Sequence, residues 1–477
     1  MAAPIDIPYL EEKFDLLQLH FLVRERFRPT SQHLNAQLEA LWTASERAPP
    51  EVQSMVTQWG RFLKRNRLPA DLAAGLCKMY IGLRPDILMA KTMTEYAALV
   101  SAQQSGVEHC KNVLEHYDVH RAELTSLISP YYVAHTANPE LPLITRPSWI
   151  PKQPIPMGRP GLEPKFVYQA SARAPHPPKL PRVDATFHEF RRRLSPQGRM
   201  MNDETYRPLE IEVTDRGLHL VCGPGRYFEY HDSCEVLGLE LAAWALANPN
   251  RRPNSDGSDL PLRGPAENIF NLRNRSAVVG VSTLLIALDY EGDDWYYWYQ
   301  RGNKVAVNPE AWSVVPSGTF QPFAANLAQH DQDFNIRSTV LRKLAEELLG
   351  KEQSQQTATK ASDFEKSVLL RDFVSLLNSG FAQLYFLGVG LDPVCTVPEV
   401  LTTLIFRAND LPSGTMGKFK NNFEGRYHKG VLEGGALLHF AHRYNVHTAS
   451  AACMRLTARH LDRLVSEVRH RRHRATA

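Results

Sequence analysis

A chain of 477 residues, 43% hydrophobic and 22% charged, is long enough for two or three domains with buried cores. Its formal net charge of +4 is too small to define a partner, and its six cysteines lack the CxxC or Cys/His spacing of a zinc site. Scattered cysteines, an N-terminus carrying Asp6, Glu11 and Glu12, and no apolar run long enough to span a bilayer predict a soluble, reduced, cytoplasmic protein without a membrane anchor.

Residues 1–138 read as a helical bundle of five or six helices. Leu10, Phe14, Leu17, Phe21 and Leu22 form one amphipathic stripe, and Leu34, Leu38, Leu41 and Trp42 form the next, behind Thr30 or Ser31 as a cap. Pro50 and Pro69 suit the first turns of two further helices, where a missing N–H costs nothing. Helices are also expected at about 87–103 and 107–128. Residues 139–182 hold about a dozen prolines and help give the stretch 139–202 an excess of about seven positive charges. Such a segment favours extended polyproline geometry and is expected to be a semi-rigid basic linker.

From residue 183 to 465 the pattern changes to mixed strands and helices, which predicts an α+β or α/β fold built as a mixed-sheet sandwich. Leu209, Ile211 and Val213 alternate with polar residues, Asp215-Arg216-Gly217 turns, and Leu218, Leu220 and Cys222 alternate again, the signature of a hairpin. A helix is expected at about 234–248 and a long strand at 276–290. Glu291-Gly-Asp-Asp294 then turns into the aromatic strand 295–300. Short strands at 304–307 and 312–315, a helix at 334–349, and strands at 384–391 and 399–406 follow. Thr448 is expected to cap a closing helix, and residues 466–477 form a basic tail.

The chemistry concentrates after Val314-Val-Pro-Ser-Gly-Thr-Phe-Gln-Pro322. On the following helix Val340, Leu341, Leu344 and Leu348 share the buried face, and Glu346 and Glu347 point away from it. A strand ending in Pro-x-Gly, a loop and a helix bearing Arg342-x-x-x-Glu346-Glu347 resembles the Nudix box. In that family such carboxylates hold a divalent metal that cleaves a nucleoside diphosphate joined to another moiety. The chain departs from the pattern. The family's first glutamate after the arginine is Lys343, its upstream glutamate position is Phe334, its loop glycine position is Ala328, and Gly350 lies one place late. Lys343 stands three and four residues before Glu346 and Glu347, where helical geometry allows pairing, and a paired carboxylate is a poor ligand for magnesium. Residues 183–465 are also similar to the C-terminal half of actinobacterial regulators that join a helix-turn-helix to a degenerate Nudix-like domain. That likeness lies in Val315-Pro-Ser-Gly-Thr-Phe-Gln-Pro, Glu346-Glu-Leu-Leu-Gly, Leu387-Gly-Val-Gly-Leu-Asp392 and Ala449-Ser-Ala-Ala-Cys453. It does not reach residues 1–138.

The resemblance implies three function classes. The first is a regulator whose degenerate Nudix-like domain recognises a nucleotide-like or phosphorylated ligand, and whose helical region binds DNA or a protein partner, with homo-oligomerisation open. The second is a metal-dependent Nudix-type hydrolase using Mg2+ on Glu346 and Glu347, impaired by Lys343. The third is a non-catalytic assembly scaffold. Candidate ligand-binding residues are Arg342, Gly318, Phe320, Gln321, Trp298 and Asp392; candidate nucleic-acid contacts are Arg191, Arg192, Arg193, Arg471 and Arg472, whose charges suit phosphates. Simpler readings stand beside these. Aromatic strands usually pack sheets, Gly388 and Gly390 lack the lysine of a phosphate loop, and His428, His439, His442 and His447 lack metal spacing.

Overall fold

In the computed structural model the described residues are 106, 108–158, 165–175, 180, 186–194, 201–289, 292–302, 311–322, 334–349, 368–412, 419, 421, 425–443 and 445–470. The helices expected before residue 105, the strand at 304–307, and Arg471 and Arg472 lie outside them. The chain divides into two compact units, Met1–Asn112 with Lys179–Leu194 and Val113–Pro178 with Ser195–Ala477. In the first, the helix Phe187–Leu194 begins where Glu189 Oε2 accepts the Thr186 amide at 2.9 Å, and the Arg191 guanidinium lies 5.5 Å from the centre of the Phe187 ring.

The second unit combines helices with two sheets. In chain order it contains α1 (Arg121–Ile128), β1 (Ile155–Pro156), β2 (Lys165–Tyr168), β3 (Glu204–Thr214), β4 (Gly217–Arg226), α2 (Val236–Ala247), β5 (Gly280–Leu288), β6 (Trp295–Arg301), β7 (Trp312–Val314) and β8 (Ser317–Thr319). Then come α3 (Ile336–Leu349), α4 (Val368–Ser379), β9 (Ala382–Leu391), β10 (Pro398–Arg407), β11 (Gly425–Val431), α5 (Gly434–Ala441), α6 (Thr448–Arg459) and α7 (Leu461–Arg469). The larger sheet runs β1-β9-β10-β5-β6-β11, with β8 on β5 and β7 on β6; the smaller runs β2-β4-β3. Mixed sheets with helices place the unit in the α+β class. No helix among the described residues is long and apolar enough to cross a membrane.

The central strands carry apolar side chains on both faces. Val281, Leu284, Leu285 and Ile286 of β5 and Val400, Leu401, Leu404 and Ile405 of β10 are all buried. Each such side chain contributes about 1.5–3 kcal/mol by leaving water. These two strands pair in parallel, so Gly280 stands opposite Glu399 and Thr283 opposite Thr402. The Thr283 and Thr402 hydroxyls lie 2.8 Å apart, which satisfies two buried polar groups at once. The small residues Ala449, Ala451, Ala452 and Cys453 let α6 lie close on the sheet, with Cys453 Sγ at 3.3 Å from Ser282 O and 3.1 Å from Thr402 O.

Two local expectations are corrected. Thr448 is the first residue of α6 rather than its cap; His447 precedes it with no side-chain cap bond, and the Thr448 hydroxyl donates to Asp392 instead. The described parts of the proline-rich stretch are mostly turns and bends rather than an extended spacer, and some of its residues belong to the sheets. Ile144 bridges to Leu391, Ile155–Pro156 forms β1 at the edge of the larger sheet, and Lys165–Tyr168 forms β2 beside β4. An edge strand tolerates proline because one row of its N–H groups has no ladder partner. Gly388 and Gly390 explain the docking. A Cβ on Gly388 would sit 2.8 Å from Trp149 O, and one on Gly390 would sit 2.7 Å from Leu143 Cβ. The glycines that resembled a phosphate loop are therefore the seat of this segment.

Candidate functional site

The helix α3 packs on β8 and β5. Ile336, Val340, Leu341, Leu344 and Leu348 are buried, as their spacing requires. Arg342 reaches back across the loop, donating from Nη1 to Pro322 O and from Nη2 to Thr319 O, each at 3.3 Å. Lys343 Nζ donates to Glu346 Oε2 at 2.5 Å, and its methylenes run over Gly318, where an added Cβ would meet Lys343 Cε at 2.3 Å. Glu347 differs from expectation. It points inward, is 4% exposed, and accepts the Ser317 amide at 2.9 Å through Oε2.

Magnesium does not fit these carboxylates as they stand, because it needs near-octahedral oxygen ligands and Glu346 and Glu347 already hold an ammonium and an amide. Among the described residues no group of three or more His, Cys, Asp or Glu is arranged to hold a metal ion. Phe334, at the family's upstream glutamate position, stacks on Phe320 at 5.3 Å between ring centres and lies 4.5 Å from the Tyr206 ring. Phe320 is thereby fully buried, so it presents no face to a ligand. Gln321, next along the loop, is partly exposed. Trp298 stacks on His428 at 4.1 Å and packs against Trp312 and Phe440 on the sheet.

Strand β8 forms one wall of a polar chamber of about 150 Å3. Ser317, Gly318 and Thr319 meet there with Arg301 at the end of β6 and Ser313 on β7. The remaining wall brings together Arg121, Glu235, Asp392 and Glu399 from α1, the short π-helix His231–Glu235 before α2, the loop after β9, and β10. Glu235 is 1% exposed and accepts hydroxyl bonds from Tyr117 and Tyr230, both at 2.5 Å. Arg121 lies 3.8 Å from Glu235 and 3.5 Å from Asp392. Asp392 also accepts the amides of Val394 and Cys395, both at 2.9 Å, and the Thr448 hydroxyl at 2.6 Å.

These neighbours separate the acids electrostatically. Burial would raise the Asp392 carboxyl, but Arg121, His447 and the donated hydrogen bonds outweigh it and hold the group down at about 2. Glu235 is held below the usual range by Arg121, His231 and the tyrosine hydroxyls against the same burial. Among the described residues Glu399 accepts only the Ser282 hydroxyl, at 3.3 Å, and burial together with the Asp392 charge pushes it up to about 8. Burial also lowers His447 to about 4, so its ring is neutral at pH 7. A second cavity of about 510 Å3 adjoins, and Arg121, Asp392 and His447 line both.

The structure thus brings Asp392 and Gly318 to one chamber and leaves Trp298, Phe320 and Gln321 outside its lining. Arg121, Glu235, Arg301, Ser313 and Glu399 were not singled out from the sequence. A lone carboxylate inside the apolar run Val397-Pro-Glu-Val-Leu is the one local signal that could have pointed to Glu399. Comparison with known protein families and with characterised proteins finds no match to this chain.

Proposed function

We propose that this protein is a non-hydrolytic regulator whose α+β unit, a degenerate Nudix-like sandwich, binds a nucleotide-like or phosphorylated ligand. The observation that carries the reading is the Lys343–Glu346 pair at 2.5 Å, set between Gly318 and the carboxylates that a hydrolase of this kind would commit to metal. An ammonium at that position replaces one of the metal's positive charges and favours holding phosphate oxygens over cleaving them. The N-terminal region, expected from its sequence to be helical, and the basic helix Phe187–Leu194 would serve the second half of the role, contact with DNA or a protein partner. Arg191, Arg192 and Arg193 suit sequence-independent phosphate contacts there.

The test uses the full chain with magnesium and a panel of nucleoside diphosphate derivatives. Binding by calorimetry is expected, without release of phosphate or nucleoside monophosphate above the protein-free blank. Release that follows the protein and disappears in Glu347→Gln would make the protein a working hydrolase. A mobility shift on duplex DNA that weakens steeply with salt separates the regulator from a scaffold.

A further inference from the structure

The two buried acids nearest α1 have their hydrogen-bonding capacity taken up. Glu235 holds two tyrosine hydroxyls and Arg121, and Asp392 holds two amides, a threonine hydroxyl and Arg121. Ser313 and Arg301, on the paired strands β7 and β6 of the lining, are not matched in this way. Among the described residues Ser313, 3% exposed, has no hydrogen-bond partner for its Oγ, and the buried Arg301 Nε has no acceptor. Arg121 Nε, in the same lining, is a third such atom; buried polar atoms are nearly always paired, so orphans gathered at one cavity mark a missing partner. The shortage is of acceptors. A guanidinium carries donors only, and Ser313, opposite Tyr299 on the strand paired with β6, lines the chamber together with Arg301.

We infer that this chamber binds an anionic oxygen-bearing group, a phosphoryl or a carboxylate, with Arg301 and the Ser313 hydroxyl as its donors. The inference rests on the ligand-binding reading above and deepens it, placing the ligand's charged end behind β8 rather than on Glu346 and Glu347. Size agrees. About 150 Å3 admits a headgroup but not a whole nucleotide, since pockets for larger ligands run to about 300–1,000 Å3. Glu399 gives the site its second property. Held neutral by burial and Asp392, it adds no charge against an incoming anion. Arg121 neutralises part of the charge on Glu235 and Asp392, which leaves Arg301 free to face the ligand.

The test titrates the full chain by calorimetry at constant ionic strength with inorganic phosphate and, separately, with acetate. Saturable binding of at least one is expected. Phosphate alone assigns a phosphoryl site, and acetate at equal affinity assigns a carboxylate site. Arg301→Gln should weaken it about 10- to 100-fold, the range of a lost hydrogen bond to a charged group. Ser313→Ala should weaken it several-fold and carries the test if Arg301→Gln fails to fold. Arg216→Gln, on the exposed β3–β4 turn, should leave it unchanged. No binding of either anion, or binding that both chamber variants leave intact, overturns the inference. If a nucleoside diphosphate binds Arg301→Gln and Ser313→Ala as well as the unmodified chain, the inference falls while the ligand-binding reading stands. Phosphate binding that depends on Arg301, without nucleotide binding, gives the reverse.

Discussion

On α3, Lys343 and Glu346 sit three residues apart and close their pair on a partly exposed helix face. Behind β8, Arg121 reaches Asp392 and Glu235 from distant parts of the chain, and both acids are buried. Water still reaches the first pair and shares in stabilising its charges; the second has only its protein neighbours. The same chemistry therefore carries different weight at the two places. A surface pair is replaceable, whereas a buried ion left without its partner retains the full cost of its desolvation.

The largest expected effect follows from removing the shared cation. Arg121→Met keeps the side-chain volume and strands two carboxylates in the interior. A loss of about 3–5 kcal/mol is expected in urea denaturation at pH 7, the range for breaking a buried pair by removing one member. The variant should recover stability as pH falls, because protonating Asp392 and Glu235 removes the stranded charge. A loss below about 1 kcal/mol would mean that the tyrosine and backbone donors alone sustain both acids.

Glu399 gives an intermediate and oppositely signed effect. Its carboxyl titrates at about 8 in the fold, against an ordinary 4.5 in the unfolded chain. The folded state therefore holds the extra proton between those values. Stability from this group is complete below pH 4.5 and is lost as pH rises through about 8. The groups that act on it are Asp392, Arg121, Arg301 and the Ser282 hydroxyl. His447, lowered to about 4, works the other way, since its unfolded form takes up a proton first as pH falls. Comparing the unmodified chain with Glu399→Gln cancels the histidine. The variant should lose the alkaline decline and be more stable at pH 9, by up to a few kcal/mol for a group so deeply buried. Parallel stability curves for the two proteins from pH 5 to 9 would show that Glu399 is ionised in the fold.

How much of this was legible depends on distance along the chain. The hairpin β3–β4, the aromatic strand β6 and the buried face of α3 follow from periodicities of a few residues, and so does the Lys343–Glu346 pair. The chamber does not. Arg121, Arg301, Asp392 and Glu399 meet only after β10 has paired in parallel with β5 and α1 has packed, and no short window of sequence contains two of those events. Glu347 shows the limit within a single helix. Its position beside Glu346 suggested a solvated carboxylate, and only the approach of β8 makes it the acceptor of the Ser317 amide. The proline-rich segment was read for what proline forbids. The decisive signal for its docking lay far away, in Gly388 and Gly390.

The smallest expected effect on stability, and the sharpest on function, belongs to Lys343. Its pair is an i, i+3 contact at 21% and 13% side-chain exposure. Such pairs contribute well under about 1 kcal/mol, so Lys343→Ala should shift the unfolding midpoint only slightly. Lys343→Glu changes the charge at that point by two units and sets a third carboxylate beside Glu346 and Glu347. Like charges one helical turn apart repel, so this variant should be less stable than Lys343→Ala in a chelating buffer. Magnesium should then restore it, because a cation that binds only the folded site adds stability according to its concentration over its dissociation constant. The unmodified chain should show little change on adding magnesium. Melting curves of the three proteins, each with and without the metal, decide the matter. Equal magnesium stabilisation of all three would mean that Lys343 does not govern the site, and tight binding by the unmodified chain would return Glu346 and Glu347 to metal chemistry.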